Sequence, residues 1–228
     1  MWKNALWLKL PEEEIRDKQI LQGDMTGRFA YFRCEVTLPA DATLVADISA
    51  NSRYRLWVNG VSVLSGPCKG DNFRQYYETV ALTDYLREGK NAFCAQVLFN
   101  DPNSVERQTD ERAAIYGVIG QPCGHRFAME GDVLDASGVV VDTVTTGKAD
   151  WHVFLDDSFY LKSTDITCYL GAVVEAIDFA RSPAHWREID FDTSLWHKAA
   201  AATTVLPNDP LLKAGVQPRF RMCERKIP

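Results

Sequence analysis

Paired carboxyl groups are the first place to look for chemistry in this sequence of 228 residues. Bond cleavage by an acid and its partner needs two carboxyl groups facing each other, about 5 to 9.5 Å apart across a sugar. Three places bring acids together: Asp156-Asp157, Asp190 with Asp192, and Asp110-Glu111. Neighbours on a strand point to opposite faces, so Asp156-Asp157 converges only if it lies in a turn. Asp190 and Asp192 can share a face, but Phe191, Ser194 and Trp196 around them spell a structural turn. In such a turn Asp192 accepts a hydrogen bond from a backbone N–H two residues on. No catalytic residue is assigned from these pairs.

Other chemistries find less support. No Gly-x-Ser-x-Gly elbow is present. The histidines at 125, 152, 185 and 197 are scattered without metal-ligand spacing, and His152, after Trp151, reads as an edge residue of a strand rather than a base. Gly66-Pro67-Cys68-Lys69-Gly70 carries a lysine but precedes no helix and lacks the spacing of a phosphate loop. The six cysteines, at 34, 68, 94, 123, 168 and 223, include no CxxC pair, which argues against zinc. Cys34, Cys94 and Cys168 lie in apolar runs, where a thiol acts as a small buried hydrophobe; a disulfide is the competing reading. No cofactor is expected, although a structural calcium held by loop carbonyls would leave no motif.

The aromatic and arginine residues have a binding flavour. Sugar rings present apolar C–H faces, so their sites combine a flat aromatic ring with a few oriented polar groups. Trp57, Arg55, Arg74, Tyr76 and Tyr77 cluster in sequence and are the candidate sugar-binding or interface residues. Tyr54, Leu56 and Val58 share one strand face, expected in the core, and Arg53, Arg55 and Trp57 share the other. Trp57 is therefore the ring placed to meet a ligand or an interface, with packing against a second sheet or a neighbouring domain as the competing role. Trp186 and Trp196 are expected to anchor the C-terminal segment.

The elements that must position these residues are strands. Residues 29–38, 43–49, 53–58, 61–64, 76–82 and 91–99 are rich in β-formers or alternate in polarity. Asn59-Gly60 between two apolar runs signals a hairpin, because a type I′ turn needs positive φ at both central residues. Residues 83–89 suggest a helical turn capped by Thr83 and closed by Gly89, with a long polar loop over 101–112. Further strands are expected at 113–119, 126–130, 139–145, 150–161 and 166–177. Short strands at this spacing, without amphipathic helices between them, predict an all-β, antiparallel β-sandwich with a short irregular C-terminal segment. The expected organisation is a lead-in over 1–27, a sandwich over 28–181, and an edge segment and linker over 182–228.

Net charge of −6 and the lack of a clustered Lys/Arg footprint speak against nucleic acid. No apolar run approaches the roughly 18 residues of a membrane span, and the N-terminus lacks a secretory pattern, so cytoplasmic residence and no membrane partner are expected.

Three stretches, in order, resemble a known family. Tyr31-Phe32-Arg33 opens a strand and is followed by 49–60, Gly66-Pro67, Tyr76-Tyr77 and 82–91. This succession is similar to the N-terminal sandwich of bacterial α-L-rhamnosidases, glycoside hydrolase family 78, and more loosely to the galactose-binding-like jelly rolls of β-galactosidase-type enzymes. The run 171–178, then Trp186, Phe191-Asp192-Thr193-Ser194 and Trp196, is close to a second motif of those proteins, without its double glycine. Val216-Gln217-Pro218-Arg219 and the final Arg225-Lys226-Ile227-Pro228 resemble the connector into the family's catalytic (α/α)6 barrel. The resemblance implies a non-catalytic accessory or carbohydrate-binding module of the galactose-binding-like jelly-roll type. Its partners would be its own downstream barrel, which would hold the catalytic carboxylates, and rhamnose-containing glycans. A free-standing lectin-like module and a purely structural or oligomerisation sandwich are the alternatives.

Overall fold

Alternation along the strand Phe29–Leu38 (β2) sets the architecture. Ala30, Phe32, Cys34, Val36 and Leu38 enter the main core, while Tyr31 enters a second apolar cluster on the opposite face. A strand buried on both faces has to lie mid-sheet and be covered twice. The computed structural model describes residues 4–18, 28–50, 53–68, 74–98, 125–163, 173–202 and 221–225. In it β2 pairs along its whole length with Gly89–Leu98 (β7) and on its other side with Trp151–Leu155 (β11).

Two sheets form the sandwich. The remaining strands are Leu8–Lys9 (β1), Thr43–Ala50 (β3), Arg53–Val58 (β4), Val61–Gly66 (β5), Arg74–Ala81 (β6), Arg126–Glu130 (β8), Asp132–Leu134 (β9), Val140–Thr143 (β10), Phe159–Ser163 (β12), Val173–Ile177 (β13), His197–Lys198 (β14), Ala200–Ala201 (β15) and Arg221–Glu224 (β16). One sheet is antiparallel in the order β14-β11-β2-β7-β4-β5. The other runs β10-β9-β3-β8-β1-β15, with β6 also on β3 and β16 alongside β6 in parallel. Strands β12 and β13 form a separate antiparallel pair. Leu44 and Ile48 of β3 and Phe127 and Met129 of β8 meet Phe32, Leu56 and Phe93 between the sheets. As the alternation predicts, Tyr54, Leu56 and Val58 all face this core.

The hairpin forms where Asn59-Gly60 predicts it, with φ of 53° and 79°. Asn59 does more than turn the chain. Its amide donates to Tyr85 O and Asn91 Oδ1, both at 2.8 Å, and its Oδ1 accepts from Ala92 N at 2.9 Å. The helical turn is a 3-10 helix over Thr83–Tyr85, and Gly89 takes a φ of 85°. Thr83 does not cap it; its hydroxyl instead accepts from Leu44 N at 3.1 Å, which ties the turn to β3. The expected strand over 150–161 is two strands, β11 and β12. It breaks because the Asp156 carboxylate accepts from Ser158 N at 2.8 Å, a local bond that competes with the ladder. Only the end of the expected strand over 166–177, β13, falls within the described residues; the loop at 101–112, the strand at 113–119, Cys123 and Cys168 lie outside them. Cys34 and Cys94 are buried free thiols, Cys68 is a half-buried free thiol, and Cys223 is half-buried. The N-terminal residues are woven into the sandwich, with Leu8 and Leu10 in its core. The helix Glu12–Asp17 (α1) lays Glu14 against β11, whose Leu155 N donates to its carboxylate at 2.7 Å.

The outer face of the first sheet is half covered by residues 182–196. Trp186 stacks on Tyr31 at 4.3 Å between ring centroids, and Trp196 stacks on Phe154 at 5.4 Å, so both tryptophans anchor this segment. Beneath them lies Arg33, 0% exposed. Its guanidinium donates to Trp186 O and Ile189 O, each at 3.0 Å, and to Glu35 at 2.6 Å. A buried charge is tolerable only when paired and hydrogen-bonded in this way.

Two expectations follow from this packing. Arg33→Ala leaves the carbonyls of Trp186 and Ile189 without this donor and Glu35 with Lys90 alone, so urea unfolding should show a loss of about 2 to 4 kcal/mol; a loss below about 1 kcal/mol would mean the segment is held by other contacts. His125 is buried with Nε2–H donating to Arg28 O at 2.8 Å, and burial lowers its pKa from 6.5 to about 4. The folded state therefore favours the neutral ring. That contribution is complete above pH 6.5 and disappears as pH falls towards 4. Between pH 7 and 4 the parent protein should lose roughly 3 kcal/mol more stability than His125→Gln; parallel pH profiles would refute this.

Candidate functional site

Register across the first sheet places two rows of side chains on its outer face, next to the covered half. Phe29 of β2 lies opposite Leu98 of β7, which lies opposite Arg53 of β4. Two residues along, Tyr31, Gln96, Arg55 and Ser65 follow one another across β2, β7, β4 and β5. The alternation that sends Tyr54 inward sends both arginines outward. A cleft of about 540 Å³ opens here, lined by Phe29, Arg53, Arg55, Gln96, Leu98 and Arg225 together with Tyr54 and the run 65–68.

The wall at 65–68 is built on a buried acid. Glu78 of β6 accepts from the Tyr54 hydroxyl at 2.8 Å and from Cys68 N at 3.0 Å. Burial and this neighbouring carboxylate raise the Tyr54 pKa well above the ordinary tyrosine range. Gly66 is required at this point, since a Cβ there would lie 2.4 Å from the Glu78 carboxylate and 2.9 Å from the Tyr54 ring. Arg225, just past β16, brings its guanidinium to 3.8 Å from Glu78. Arg53 donates to Pro67 O at 2.6 Å, and Arg55 donates to Ser62 Oγ at 3.0 Å while lying 5.1 Å from the Trp57 ring centroid. The lining thus includes three arginines and, among the described residues, no acid.

The candidates read from the sequence are not brought together. Arg55 lies in the cleft. Trp57 is only 4% exposed, covered by Trp186 at 5.6 Å and by the Arg187 guanidinium at 5.2 Å. Its interface is therefore with the chain's own C-terminal segment. Arg74, Tyr76 and Tyr77 lie on β6, in the other sheet, where they register with Arg221, Cys223 and Glu224 of β16. Tyr77 is buried and Tyr76 half-buried. Closeness in sequence misleads here because the chain changes sheets between β5 and β6. Gln96 and Arg225 were missed; only strand register puts Gln96 opposite Arg55, and no local pattern marks Arg225.

The paired acids are engaged separately. Asp156 is buried and accepts from the Tyr31 and Ser158 hydroxyls; burial and this neighbouring carboxylate raise the Tyr31 pKa strongly. Asp157 pairs with Lys18 at 3.4 Å and with Arg181. Asp192 accepts from Ser194 N at 2.8 Å, as the turn reading predicts, and this bond lowers its pKa. Asp110 and Glu111 lie outside the described residues. His152 sits inside the sheet ladder, registered with Arg33 on one side and Lys198 on the other. Among the described residues no group of three or more His, Cys, Asp or Glu side chains could hold a metal ion, and no helix is long and apolar enough to cross a membrane.

No protein-family model matches this sequence, and no curated protein matches it. Solved structures do. The GH78 family rhamnosidase of Bacillus sp. GL1 superposes with a TM-score of 0.64 at 22% identity, over 99% of this chain and 20% of that enzyme. The α-L-rhamnosidase of Dictyoglumus thermophilum gives 0.60 at 18% identity, over 87% of this chain and 21% of the enzyme. That of Aspergillus terreus gives 0.58 at 18% identity, over 89% and 21%. This chain spans about a fifth of the length of each of these enzymes, and its fold is that of a β-sandwich region found within α-L-rhamnosidases.

Proposed function

We propose that this chain is the non-catalytic N-terminal sandwich of an α-L-rhamnosidase-like glycoside hydrolase, and that its cleft meets saccharide while the hydrolysing carboxylates lie in a downstream helical barrel. The observation that carries the reading is the superposition on 99% of this chain and only a fifth of the Bacillus enzyme. The fate of the local acids supports it. Asp156 and Asp157 are committed to a tyrosine, a serine and two cations, and Asp192 to its own turn. Among the described residues, none of Asp156, Asp157 and Asp192 lines the arginine-rich cleft. Flat apolar walls beside oriented polar groups are what a sugar ring requires. A single shallow site binds weakly, with dissociation constants of roughly micromolar to millimolar, because a monosaccharide buries little area.

Hydrolysis of p-nitrophenyl α-L-rhamnopyranoside by this chain and by the full-length gene product tests the reading. Turnover by the longer protein alone is the expected result. Turnover by the isolated chain would place the catalytic carboxylates here, and absence of turnover in both would remove the rhamnosidase assignment.

A further inference from the structure

We infer that the cleft between Arg53, Arg55 and Arg225 binds an acidic saccharide, a sugar ring carrying a carboxylate or a sulfate ester. The inference rests on reading the chain as a glycan-directed module and adds the class of glycan.

Charge is the first argument. The chain holds 31 acidic and 25 basic residues, yet among the described residues this cleft is lined by three arginines and no acid. Arg53 and Arg55 pair with no carboxylate among the described residues: the first donates to a carbonyl and the second to a hydroxyl. Among the described residues, the carboxylate that Arg225 reaches is Glu78, at 3.8 Å, and it already accepts from Tyr54 and Cys68. Three arginines lining one concavity focus a positive potential that an anion relieves. Guanidinium is also the group whose planar fork matches a carboxylate or sulfate with two parallel hydrogen bonds.

Shape is the second argument. Phe29, Leu98 and Pro67 give the cleft apolar walls, which a bare inorganic anion would not use and the C–H face of a sugar would. Its volume of about 540 Å³ falls within the range of small-molecule sites. Gln96, directly across from Arg55, hydrogen-bonds the Tyr31 hydroxyl and has further amide donor and acceptor capacity suited to sugar hydroxyls.

Preorganisation is the third. Arg55 is held by Ser62 and by the Trp57 ring, and Arg53 by Pro67 O, so both cations stand in fixed places on a strand. Little rotamer freedom is then lost when an anion arrives.

Calorimetric titration of the chain tests this with four probes: digalacturonate, its dimethyl ester, galactose 6-sulfate and polyglutamate. Digalacturonate should bind with a dissociation constant of roughly 0.1 to 1 mM, weakening as salt rises, and its ester should bind at least tenfold more weakly. Arg55→Gln and Arg225→Gln should each weaken binding about tenfold, while Lys148→Gln, outside the cleft, should not. Matching circular dichroism and melting curves keep a misfolded variant from counting. Binding of galactose 6-sulfate would widen the class to sulfate esters, and its silence beside digalacturonate binding would narrow the class to uronates; both support the inference. Equal binding of the ester would overturn the preference for acid. Tighter binding of polyglutamate than of digalacturonate would make the cleft a dock for an acidic protein segment. Silence with every probe would overturn the site itself. None of these results touches the rhamnoside hydrolysis test, so the two readings fail separately.

Discussion

Burial of the Arg33 guanidinium is the constraint around which one side of this molecule is organised. A charge that is 0% exposed survives only with several fixed acceptors, and here two of them are backbone carbonyls, of Trp186 and Ile189. The strand cannot bury Arg33 alone, and the segment 182–196 forms no strand of its own that would satisfy those carbonyls. Each answers the other's need. With the backbone fixed, Trp186 lies on Tyr31 and against Trp57, and Trp196 on Phe154. The aromatic half of the outer face is thereby largely covered, with Tyr31 and Trp57 buried.

The covering stops short of the second half of the same face. There β4 and β7 present Arg53, Arg55, Gln96 and Leu98 to an open cleft. Trp57 takes part in both halves, supporting Arg55 from below while lying under Trp186 and Arg187. The aromatic ring that resembles a sugar platform in the sequence is thus a support for an arginine that lines the cleft. In the proposed reading, binding chemistry moves from the stacked aromatic to the arginines, and with it the class of saccharide the surface suits.

Much of this was legible in the residues. The hairpin at Asn59-Gly60, the inward set Tyr54, Leu56 and Val58, the anchoring role of Trp186 and Trp196 and the turn at Asp192 all follow from local rules of backbone geometry and alternation. Failures arose where a non-local choice decided. Thr83 is drawn from its cap by the amide of Leu44, a residue 39 positions away. The run over 150–161 breaks at Asp156 because a carboxylate finds Ser158 and the Tyr31 hydroxyl. Arg55 and Tyr76 look like neighbours in sequence but belong to different sheets, and Arg225 arrives at the cleft by way of a parallel pairing with β6. Periodicity tells which side of a strand a residue occupies; it does not tell which strand lies beside it.

The central claim is that saccharide meets the arginine half of this face and not the aromatic half. A crystal structure of the chain with digalacturonate tests it directly. The account predicts the sugar acid between Arg55, Gln96 and Arg225, with Trp57 still beneath Trp186 and Arg33 still bonded to the carbonyls above it. A sugar ring stacked on Trp57, with residues 182–196 displaced, would contradict it.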